Sequence, residues 1–266
     1  MKQNFKVMTF NFRVAVPTDP FVWEERKHWV AKMIEDNKPD LIGTQEATVP
    51  MLNWLKDRFY ESYEIYGVNR VVSEEVGEFS AIFVKRDRFS IVRKDSFMLS
   101  ESPEVIGSFG WDAQCERICS WVELSLMGES KSVLRFFNAH LDHNGKIARK
   151  EGLKLILNKM QEKNLVRKLP VILTGDFNDT PENGLFDVID EFEPLASCYD
   201  LMSEEEKVNA LTFHGYKGGM EGNPIDYIFT SQEIELLSTA IVRDKVENGY
   251  PSDHYPIVCQ MQINKN

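Results

Sequence analysis

Acidic, amide and histidine side chains recur at the ends of apolar, strand-like runs in this sequence. Glu46 follows the run at residues 41–45, and Asp176 and Asn178 follow the run at residues 171–175. Polar groups beside such runs are costly to bury unpaired, and open α/β sheets collect them at one edge to form a site. The sequence therefore predicts one polar site formed by Asn11, Glu46, His140, Asp142, Asp176, Asn178, Asp226, Asp253 and His254.

The residue types in this set predict metal-assisted hydrolysis. Carboxylates and an amide, without cysteine, are hard oxygen ligands that suit Mg²⁺ or Mn²⁺. Two histidines with acids available suit an acid/base pair in which a carboxylate orients each ring. Together these groups describe metal-assisted hydrolysis of a phosphate ester. The sequence has no Gly-x-x-x-x-Gly-Lys loop, Gly-x-Gly-x-x-Gly loop or Gly-x-Ser-x-Gly elbow, which argues against an ATPase, a dinucleotide-binding enzyme and a serine hydrolase.

The elements that must position these side chains are strands interleaved with helices. Helical spacing of apolar residues predicts helices at 23–38, 51–59 and 148–163. Residues 100–116 contain Pro and Gly and are predicted to form a surface loop. This interleaving predicts one α/β domain, residues 1–266, with a large sheet core. β-branched and aromatic runs predict strands at 6–14, 41–44, 63–68, 79–84, 89–99, 118–126, 133–140, 171–174, 225–230, 236–242 and 256–263.

Composition and charge narrow the class of protein. Of 266 residues, 42% are hydrophobic and 27% charged, which excludes a largely disordered chain. The net charge is −11, and an acidic chain is poorly suited to holding a long DNA duplex, which needs a basic face. The longest apolar runs are strand-length, which predicts no membrane-spanning helix. The first residues lead into a strand-like run rather than an apolar leader, so we expect a cytoplasmic protein.

The four cysteines favour reduced thiols. An even count also allows two disulfides, but reduced and mostly buried thiols suit a cytosolic protein best. Cys115 and Cys119 are four residues apart, yet no nearby pair of Cys or His residues completes a zinc site.

The order of the polar motifs resembles the endonuclease/exonuclease/phosphatase superfamily, which includes deoxyribonuclease I, exonuclease III, neutral sphingomyelinases, inositol-polyphosphate 5-phosphatases and nocturnin-like deadenylases. The resemblance covers nearly the whole chain and points to a bacterial nocturnin-like, deadenylase-like or sphingomyelinase-like subgroup. It implies a four-layered α/β sandwich of two packed mixed sheets flanked by helices, and a phosphoesterase that depends on Mg²⁺ or Mn²⁺. The motifs are Asn11, Gln45-Glu46, His140-Leu-Asp142, Gly175-Asp-Phe-Asn178, Ile225-Asp-Tyr and Ser252-Asp-His254.

The resemblance also implies roles at the metal. Glu46 would be the principal metal ligand, with Asn11 beside it. Asp253 would help the metal or the neighbouring His254. Asp176 would orient or deprotonate the attacking water.

The remaining implied roles concern the phosphate. Asn178 would hold the scissile phosphate, and His254 would stabilise the charge that develops on it, with Asp226 fixing the tautomer of that histidine. His140 takes the position of a second histidine. Glu78 is a candidate carboxylate partner of His140, or a solvated residue of an acidic loop.

Five further residues keep two interpretations. Arg117 and Arg149 suit bidentate phosphate binding or a surface salt bridge. Trp111 could stack on a base or sugar or pin its loop, and His214 has the same ambiguity. Asp142 could belong to the site or cap the following helix.

The acidic charge favours a compact substrate over a long nucleic acid. We expect a small phosphate ester, a nucleotide or a short oligonucleotide, and no binding of long duplexes. The alternatives are a nuclease that acts on longer DNA or RNA and a catalytically silent binding protein on the same scaffold. A carboxylate-based glycosidase, which needs two acids and no Asp-His pair, is a further alternative.

Overall fold

The computed structural model describes residues 2–192 and 194–264. Its helices are α1 (Trp23–Asn37), α2 (Val49–Arg58), α3 (Lys146–Val166), α4 (Asp187–Asp190) and α5 (Glu204–Val208), with 3₁₀ turns at Pro181–Asn183 and Cys198–Leu201. Its strands are β1 (Lys2–Asn11), β2 (Leu41–Gln45), β3 (Ala47–Thr48), β4 (Tyr63–Tyr66), β5 (Glu78–Phe79), β6 (Ile82–Lys85), β7 (Phe89–Met98), β8 (Ile118–Leu126), β9 (Ser132–His140), β10 (Val171–Asp176), β11 (Leu195–Ser197), β12 (Asp226–Ser231), β13 (Ile234–Ile241) and β14 (Ile257–Asn264).

The strands form two large sheets and one short strand pair. The first sheet has the order β13-β14-β1-β2-β6-β4, and the second has the order β11-β12-β10-β9-β8-β7. In the first sheet β1 and β2 are parallel and β14 is antiparallel to β1. In the second sheet β9 and β10 are parallel and β12 is antiparallel to β10. The carboxyl ends of the parallel strands and the beginnings of β12 and β14 therefore share an edge in each sheet.

Alternating side chains of β1 place this strand between two cores. Phe5 and Val7 belong to a core shared with the second sheet and with Leu153 of α3. Met8 and Phe10 belong to a core shared with α1 and α2. This alternation is the period-2 geometry of a strand buried on both faces. Helices thus lie outside two packed mixed sheets, and the predicted four-layered α/β sandwich is confirmed.

The two sheets approach closely beside the predicted site. A Cβ atom at Gly43 of β2 would overlap the Thr174 hydroxyl and the Asn138 side chain of the second sheet, so the position requires glycine. The Asn138 amide donates to the carbonyl oxygen of Thr44 at 2.8 Å, and its oxygen accepts from Gln45 Nε2 at 2.7 Å. This buried polar contact fixes the ends of the two sheets relative to each other.

The structure modifies several predicted element bounds. The first strand ends at Asn11 instead of residue 14, because Arg13 adopts a left-handed conformation with φ of 57° and donates its N–H to Asn11 Oδ1. The run at 79–84 is divided into β5 and β6. Residues 100–116 contain no helix or strand, as predicted. In the described part of the chain, no helix is both long and apolar enough to cross a membrane.

All four cysteines are free thiols. Cys119, Cys198 and Cys259 are buried, and Cys115 is partly exposed. The prediction of reduced, mostly buried thiols is therefore confirmed.

Candidate active site

The strand registers bring the predicted polar residues to one edge. Asp176, the last residue of β10, pairs with His140 on one side and with Asp226 on the other. Asn11 ends β1 opposite Gln45, the residue before Glu46. The Asn11 side chain then joins the two sheets, because its Nδ2 atom donates to Asp176 Oδ2 at 2.9 Å.

Glu46 is held in place by its backbone and by two donors. The residue adopts a left-handed conformation with φ of 62°. Its Oε1 accepts from Asn11 Nδ2 at 2.9 Å, and its Oε2 accepts from the Val14 N–H at 2.8 Å. Burial alone would raise the pKa of Glu46, but the Val14 N–H, the His254 charge and the Asn11 amide outweigh burial and lower it. Glu46 is therefore an ionised carboxylate.

The Asn11 amide acts as a donor in this arrangement. Its nitrogen contacts Glu46 and Asp176, and its oxygen accepts from the Arg13 N–H at 2.9 Å. The sequence interpretation placed Asn11 among the metal ligands, but its oxygen is turned towards Arg13. Asn11 therefore orients two carboxylates through its amide nitrogen. Its amide oxygen is bonded to the Arg13 N–H and is not turned towards those carboxylates.

His254 and Asp226 form a buried pair. His254 Nδ1 lies 2.9 Å from Asp226 Oδ2, and His254 Nε2 lies 3.8 Å from Asp176 Oδ2. Burial lowers the pKa of His254, but the charge and hydrogen bond of Asp226, with the charges of Asp176 and Asp253, raise it to about 10. The histidine is thus a cation whose Nε2–H is directed at the shared edge.

Asp176 and Asp253 are crowded carboxylates. Burial and the charge of Asp226 raise the pKa of Asp176 to about 7. Burial also raises the pKa of Asp253, with a further contribution from the charge of Glu46. Several buried carboxylates so close together are costly unless a cation neutralises them.

His140 and Asn178 contact each other beside Asp176. Asn178, with φ of 51°, donates from Nδ2 to His140 Nε2 at 3.0 Å and to the Leu141 carbonyl at 3.0 Å. His140 Nε2 also lies 3.6 Å from Asp176 Oδ2. Burial and the charges of Arg117 and Arg70 hold the pKa of His140 well below its usual value. His140 is therefore neutral and can accept from Asn178.

Glu78 was a candidate partner of His140, but its carboxylate bonds to Arg70 instead. Its Oε1 accepts from Arg70 Nη2 at 2.7 Å, and Arg70 also donates its backbone N–H to the Glu78 carbonyl. Glu78 nevertheless lines the same cleft as His140. The physical cause is Arg70, eight residues upstream, which gives this partly buried carboxylate a charged donor.

The two predicted arginines have different surroundings. Arg117 is 5% exposed and lines the cleft, with Nη2 placed 3.0 Å from His143 Nδ1. Arg149 is also buried, but its Nε donates to Asp179 at 2.9 Å and its Nη1 donates to the Asp142 carbonyl. Arg149 is not part of the cleft wall, so its position does not support a phosphate contact. Its salt bridge with Asp179 is buried and is therefore not a surface salt bridge.

Asp142 organises the loop before α3. Its Oδ1 accepts from the N–H groups of Asn144 and Gly145, and its Oδ2 accepts from the Gln114 N–H. Asp142 therefore folds the turn before α3 and does not cap the helix, whose first-turn N–H groups bond to Asp112 instead. It also lies 3.5 Å from Arg117 Nε.

Trp111 and His214 lie outside the cleft wall. Trp111 is partly buried, and its backbone N–H donates to Glu101 Oε1 at 3.2 Å, within its own loop. The His214 ring stacks on Tyr255 at 3.9 Å between centroids, and burial lowers its pKa to about 4. The residue before it, Phe213, lines the cleft with 47% of its surface exposed and its ring 5.0 Å from that of His254.

The cleft has a volume of about 410 Å³. Its polar wall includes Arg13, which the sequence did not single out and whose Nε lies 2.9 Å from Asp19 and 3.6 Å from Asp253. The cleft wall consists of Arg13, Glu46, Arg70, Glu78, Cys115, Arg117, His140, His143, Asp176, Asn178, Phe213, Ile225, Asp253 and His254.

The donor chemistry of this edge fits a hard divalent cation. Ligand atoms of Glu46, Asp176 and His254 all lie within 4.8 Å of one another, and Asp253 lies close enough for the charge of Glu46 to raise its pKa. His254 Nδ1 is bonded to Asp226, and the raised pKa of His254 keeps the ring protonated. The metal ligands at this edge are therefore expected to be carboxylate oxygens. Oxygen donors of this kind suit Mg²⁺ or Mn²⁺.

The comparison with known families settles the family of this chain. A family model described as "Endonuclease/Exonuclease/phosphatase family" matches residues 8–254, a stretch that contains every site residue named above. The chain belongs to the endonuclease/exonuclease/phosphatase family. Members of this family are hydrolases of phosphoester bonds and generally depend on a divalent metal, so the predicted enzyme class, a hydrolase acting on ester bonds, is confirmed.

Similar proteins within the family differ in their named activities. A family protein from Bacteroides thetaiotaomicron is 32% identical with a TM-score of 0.89, and the alignment covers 100% of both chains. A mannosyl-6-phosphatase from Bacteroides thetaiotaomicron VPI-5482 is 32% identical with a TM-score of 0.86, covering 97% of this chain and 99% of that one. A 2',5'-phosphodiesterase 12 from Bos taurus is 23% identical, covering 89% of this chain and 46% of its own length, so the chain spans about half of that relative.

Proposed function

We propose that this protein is a phosphoesterase dependent on Mg²⁺ or Mn²⁺ that hydrolyses a small phosphate ester by in-line attack of water. The observation that carries the proposal is the His254–Asp226 pair at 2.9 Å, with His254 Nε2 3.8 Å from Asp176 in the wall of a polar cleft. A cationic donor and a carboxylate with a pKa near neutrality then face the same space. These are the two groups that water attack on a phosphate requires.

Glu46 and Asp253 are the residues that would hold the cation. Glu46 is ionised and oriented by the donors Asn11 and Val14, and Asp253 approaches from the opposite end of the chain. When bound, the cation neutralises phosphate charge and polarises a phosphoryl oxygen.

The chain's own residues supply the remaining steps. Asp176, whose pKa is about 7, accepts a proton from the attacking water. As the oxygen of that water bonds to phosphorus, the bond from phosphorus to the ester oxygen breaks, and the released alkoxide takes a proton from solvent. His254 donates from Nε2 to a phosphoryl oxygen, and Asp226 keeps the proton on Nδ1 in place.

His140 and Asn178 complete the phosphate site. The neutral His140 ring accepts one hydrogen of the Asn178 amide, which fixes this amide next to Asp176. Asn178 lines the cleft, and in this position it would hold the phosphate.

A small substrate is supported by size and charge. A cleft of about 410 Å³ lies at the lower end of the range for small-molecule sites, roughly 300–1,000 Å³. The chain carries a net charge of −11, which disfavours a long nucleic acid. Relatives named for a phosphatase and for a phosphodiesterase share the reaction class, and a sugar phosphate, a nucleotide and a short oligonucleotide all lie within the proposal.

A substrate panel tests the proposal. Phosphomonoesters, phosphodiesters, short RNA and short DNA are incubated with Mg²⁺ or Mn²⁺, and with EDTA as the control. We expect metal-dependent release of phosphate or nucleotide, abolished by His254→Ala and retained by Glu61→Gln, a change at an exposed carboxylate. Activity on glycosides that survives EDTA would support a glycosidase instead, and binding without hydrolysis would support a silent binding protein.

A further inference from the structure

The cleft continues beyond His140 into a second group of charged side chains that the proposed reaction does not use. We call it the Arg70–Arg117 subsite and define it by Arg70, Glu78, Arg117 and His143. All four line the same cleft as Glu46 and Asp176. Arg70, Glu78 and Arg117 also line a small pocket together with Glu46 and His140, so the subsite adjoins the reaction centre.

Arg70 and Glu78 are held opposite each other by the loop that joins them. Asn69 forms an isolated bridge with Phe79, and the Arg70 N–H donates to the Glu78 carbonyl. The Asn69 amide also bonds the carbonyls inside this loop at 2.7 Å. Gly77, with φ of 107°, admits this side chain, because a Cβ atom there would overlap it. The guanidinium and carboxylate are therefore pre-positioned.

Arg117 is equally fixed. Its side chain is 6% exposed, with Nε 3.5 Å from Asp142 Oδ2 and Nη2 3.0 Å from His143 Nδ1. Asp142 is in turn anchored by backbone N–H groups.

Both guanidiniums keep unused donors. Among residues 2–192 and 194–264, the buried Nε atoms of Arg70 and Arg117 have no hydrogen-bond acceptor. Buried donors without an acceptor are costly, but these two atoms lie beneath the surface. A ligand in the cleft would meet the terminal Nη groups of the two arginines, which line its wall.

The charges of the two subsite arginines are balanced by Glu78 within the subsite and by Asp142, which is not part of the cleft wall. Glu78 faces Arg70 and Asp142 faces Arg117, so the subsite offers donors and acceptors without an excess of positive charge. A second phosphate would need such an excess, and a nucleobase would need an aromatic face. The hydroxyl group, which both donates and accepts, matches an array of paired guanidinium and carboxylate groups.

We propose that Arg70, Glu78 and Arg117 bind adjacent hydroxyl groups of a polyol, such as a sugar ring, to which the hydrolysed phosphate is attached. Glu78 accepts from the hydroxyls, and Arg70 and Arg117 donate to their oxygens. The inference rests on the proposed function and names its substrate class: a phosphate ester of a polyhydroxylated ring.

The first test compares substrates. Values of kcat and KM are measured with Mg²⁺ for a hexose 6-phosphate, its deoxy analogue, a hexose bisphosphate and ethyl phosphate, using the wild type, Arg70→Met, Glu78→Gln and Arg58→Met. Arg58 is the matched control, an arginine in a surface ion pair with Glu35. We expect Arg70→Met and Glu78→Gln to lower kcat/KM about 10- to 100-fold more for the hexose phosphate than for ethyl phosphate, mainly through KM.

Other results overturn the proposal. Preference for the bisphosphate, lost in Arg70→Met, would identify a second anion subsite. Equal losses on hexose phosphate and ethyl phosphate would place Arg70 in folding or in the chemical step, and thermal unfolding of the variant would separate these two.

A binding measurement separates failure of the subsite from failure of the proposed function. In EDTA, calorimetric titration with the hexose phosphate and with inorganic phosphate needs no turnover. Arg70→Met should weaken hexose phosphate binding at least about tenfold more than phosphate binding. Turnover of phosphate esters without this difference would overturn the subsite alone. If no phosphate ester is turned over but Arg70→Met still weakens hexose phosphate binding more than phosphate binding, the proposed hydrolase function is wrong and the polyol site stands.

Discussion

Arg26 Nη1 lies 3.0 Å from the carbonyl oxygen of Pro251, which joins helix α1 to the loop that carries Asp253 and His254. The Arg26 side chain is 0% exposed, and its remaining donors reach the carbonyls of the turn after β1 and of the segment before α1. That turn carries Arg13 and the Val14 N–H that contacts Glu46. One buried guanidinium therefore supports both walls of the reaction centre through the carbonyl oxygens of Phe12, Arg13, Val14, Phe21 and Pro251.

Replacing Arg26 is expected to damage both stability and catalysis. Arg26→Met leaves several carbonyls without donors, so the free energy of unfolding should fall by about 2–4 kcal/mol in a urea titration. The surviving folded enzyme should show a lower kcat, because Glu46 and His254 lose a common support. Arg26→Lys should recover part of the loss, since lysine has three donors without the planar fork. Lys32→Met, at an exposed position of α1, is the control, and an unchanged Arg26→Met protein would contradict this role.

The His254–Asp226 pair should behave as one unit. Asp226→Asn removes the charge that contributes most to raising the pKa of His254, so that pKa should fall and kcat should fall by about 10²-fold or more. Adding His254→Ala to Asp226→Asn should cost little more, because residues that act together are non-additive. Steady-state kinetics of the two single variants and the double variant measure this. Fully multiplicative losses would show that the pair does not act jointly.

Metal binding should depend on Glu46 and should stabilise the fold. Glu46→Gln should lower the affinity for Mn²⁺ at least about tenfold in calorimetric titrations, with Glu61→Gln as the matched control. In the wild type, Mg²⁺ at 100 times its Kd should raise the free energy of unfolding by about 2.7 kcal/mol. Full activity of Glu46→Gln at limiting Mg²⁺ would exclude Glu46 as the ligand.

The residues at strand ends could be predicted from sequence for a geometric reason. Glu46, Asp176 and His254 each adjoin an apolar run, and parallel strands place their carboxyl ends at one edge. The parallel pairs β1–β2 and β9–β10 have this arrangement. For these residues, a position at the end of a strand in the sequence was therefore enough to predict a position at the shared edge of the sheets.

Residues that reach the cleft from loops carried no such signal. Phe213 and His214 are adjacent, and the bridge between Phe213 and His254 decides which of them faces the cleft. Arg70 and Glu78 meet because Asn69 and Phe79 are bridged. These non-local pairings depend on the folded backbone, so residue type and spacing alone could not reveal them. The family resemblance suggested Glu78 as the partner of His140, but the folded loop pairs Glu78 with Arg70 instead.

Substrate binding should depend weakly on salt. The three arginines of the cleft wall each face a carboxylate, since Arg13 lies against Asp19, Arg70 against Glu78, and Arg117 against Asp142. Few cations are therefore free to replace the counterions of a nucleic acid backbone.

A protein that neutralises six to ten phosphates loses about 10³–10⁵-fold in affinity between roughly 50 and 200 mM salt. Here we expect KM for the best substrate of the panel to change by less than about tenfold over that range, with no preference for long duplexes. Initial rates at a series of salt concentrations, with supercoiled plasmid as the competing substrate, measure both properties. A steep dependence on salt together with efficient cutting of the plasmid would favour a nuclease that acts on long DNA, because only a backbone-tracking groove produces both.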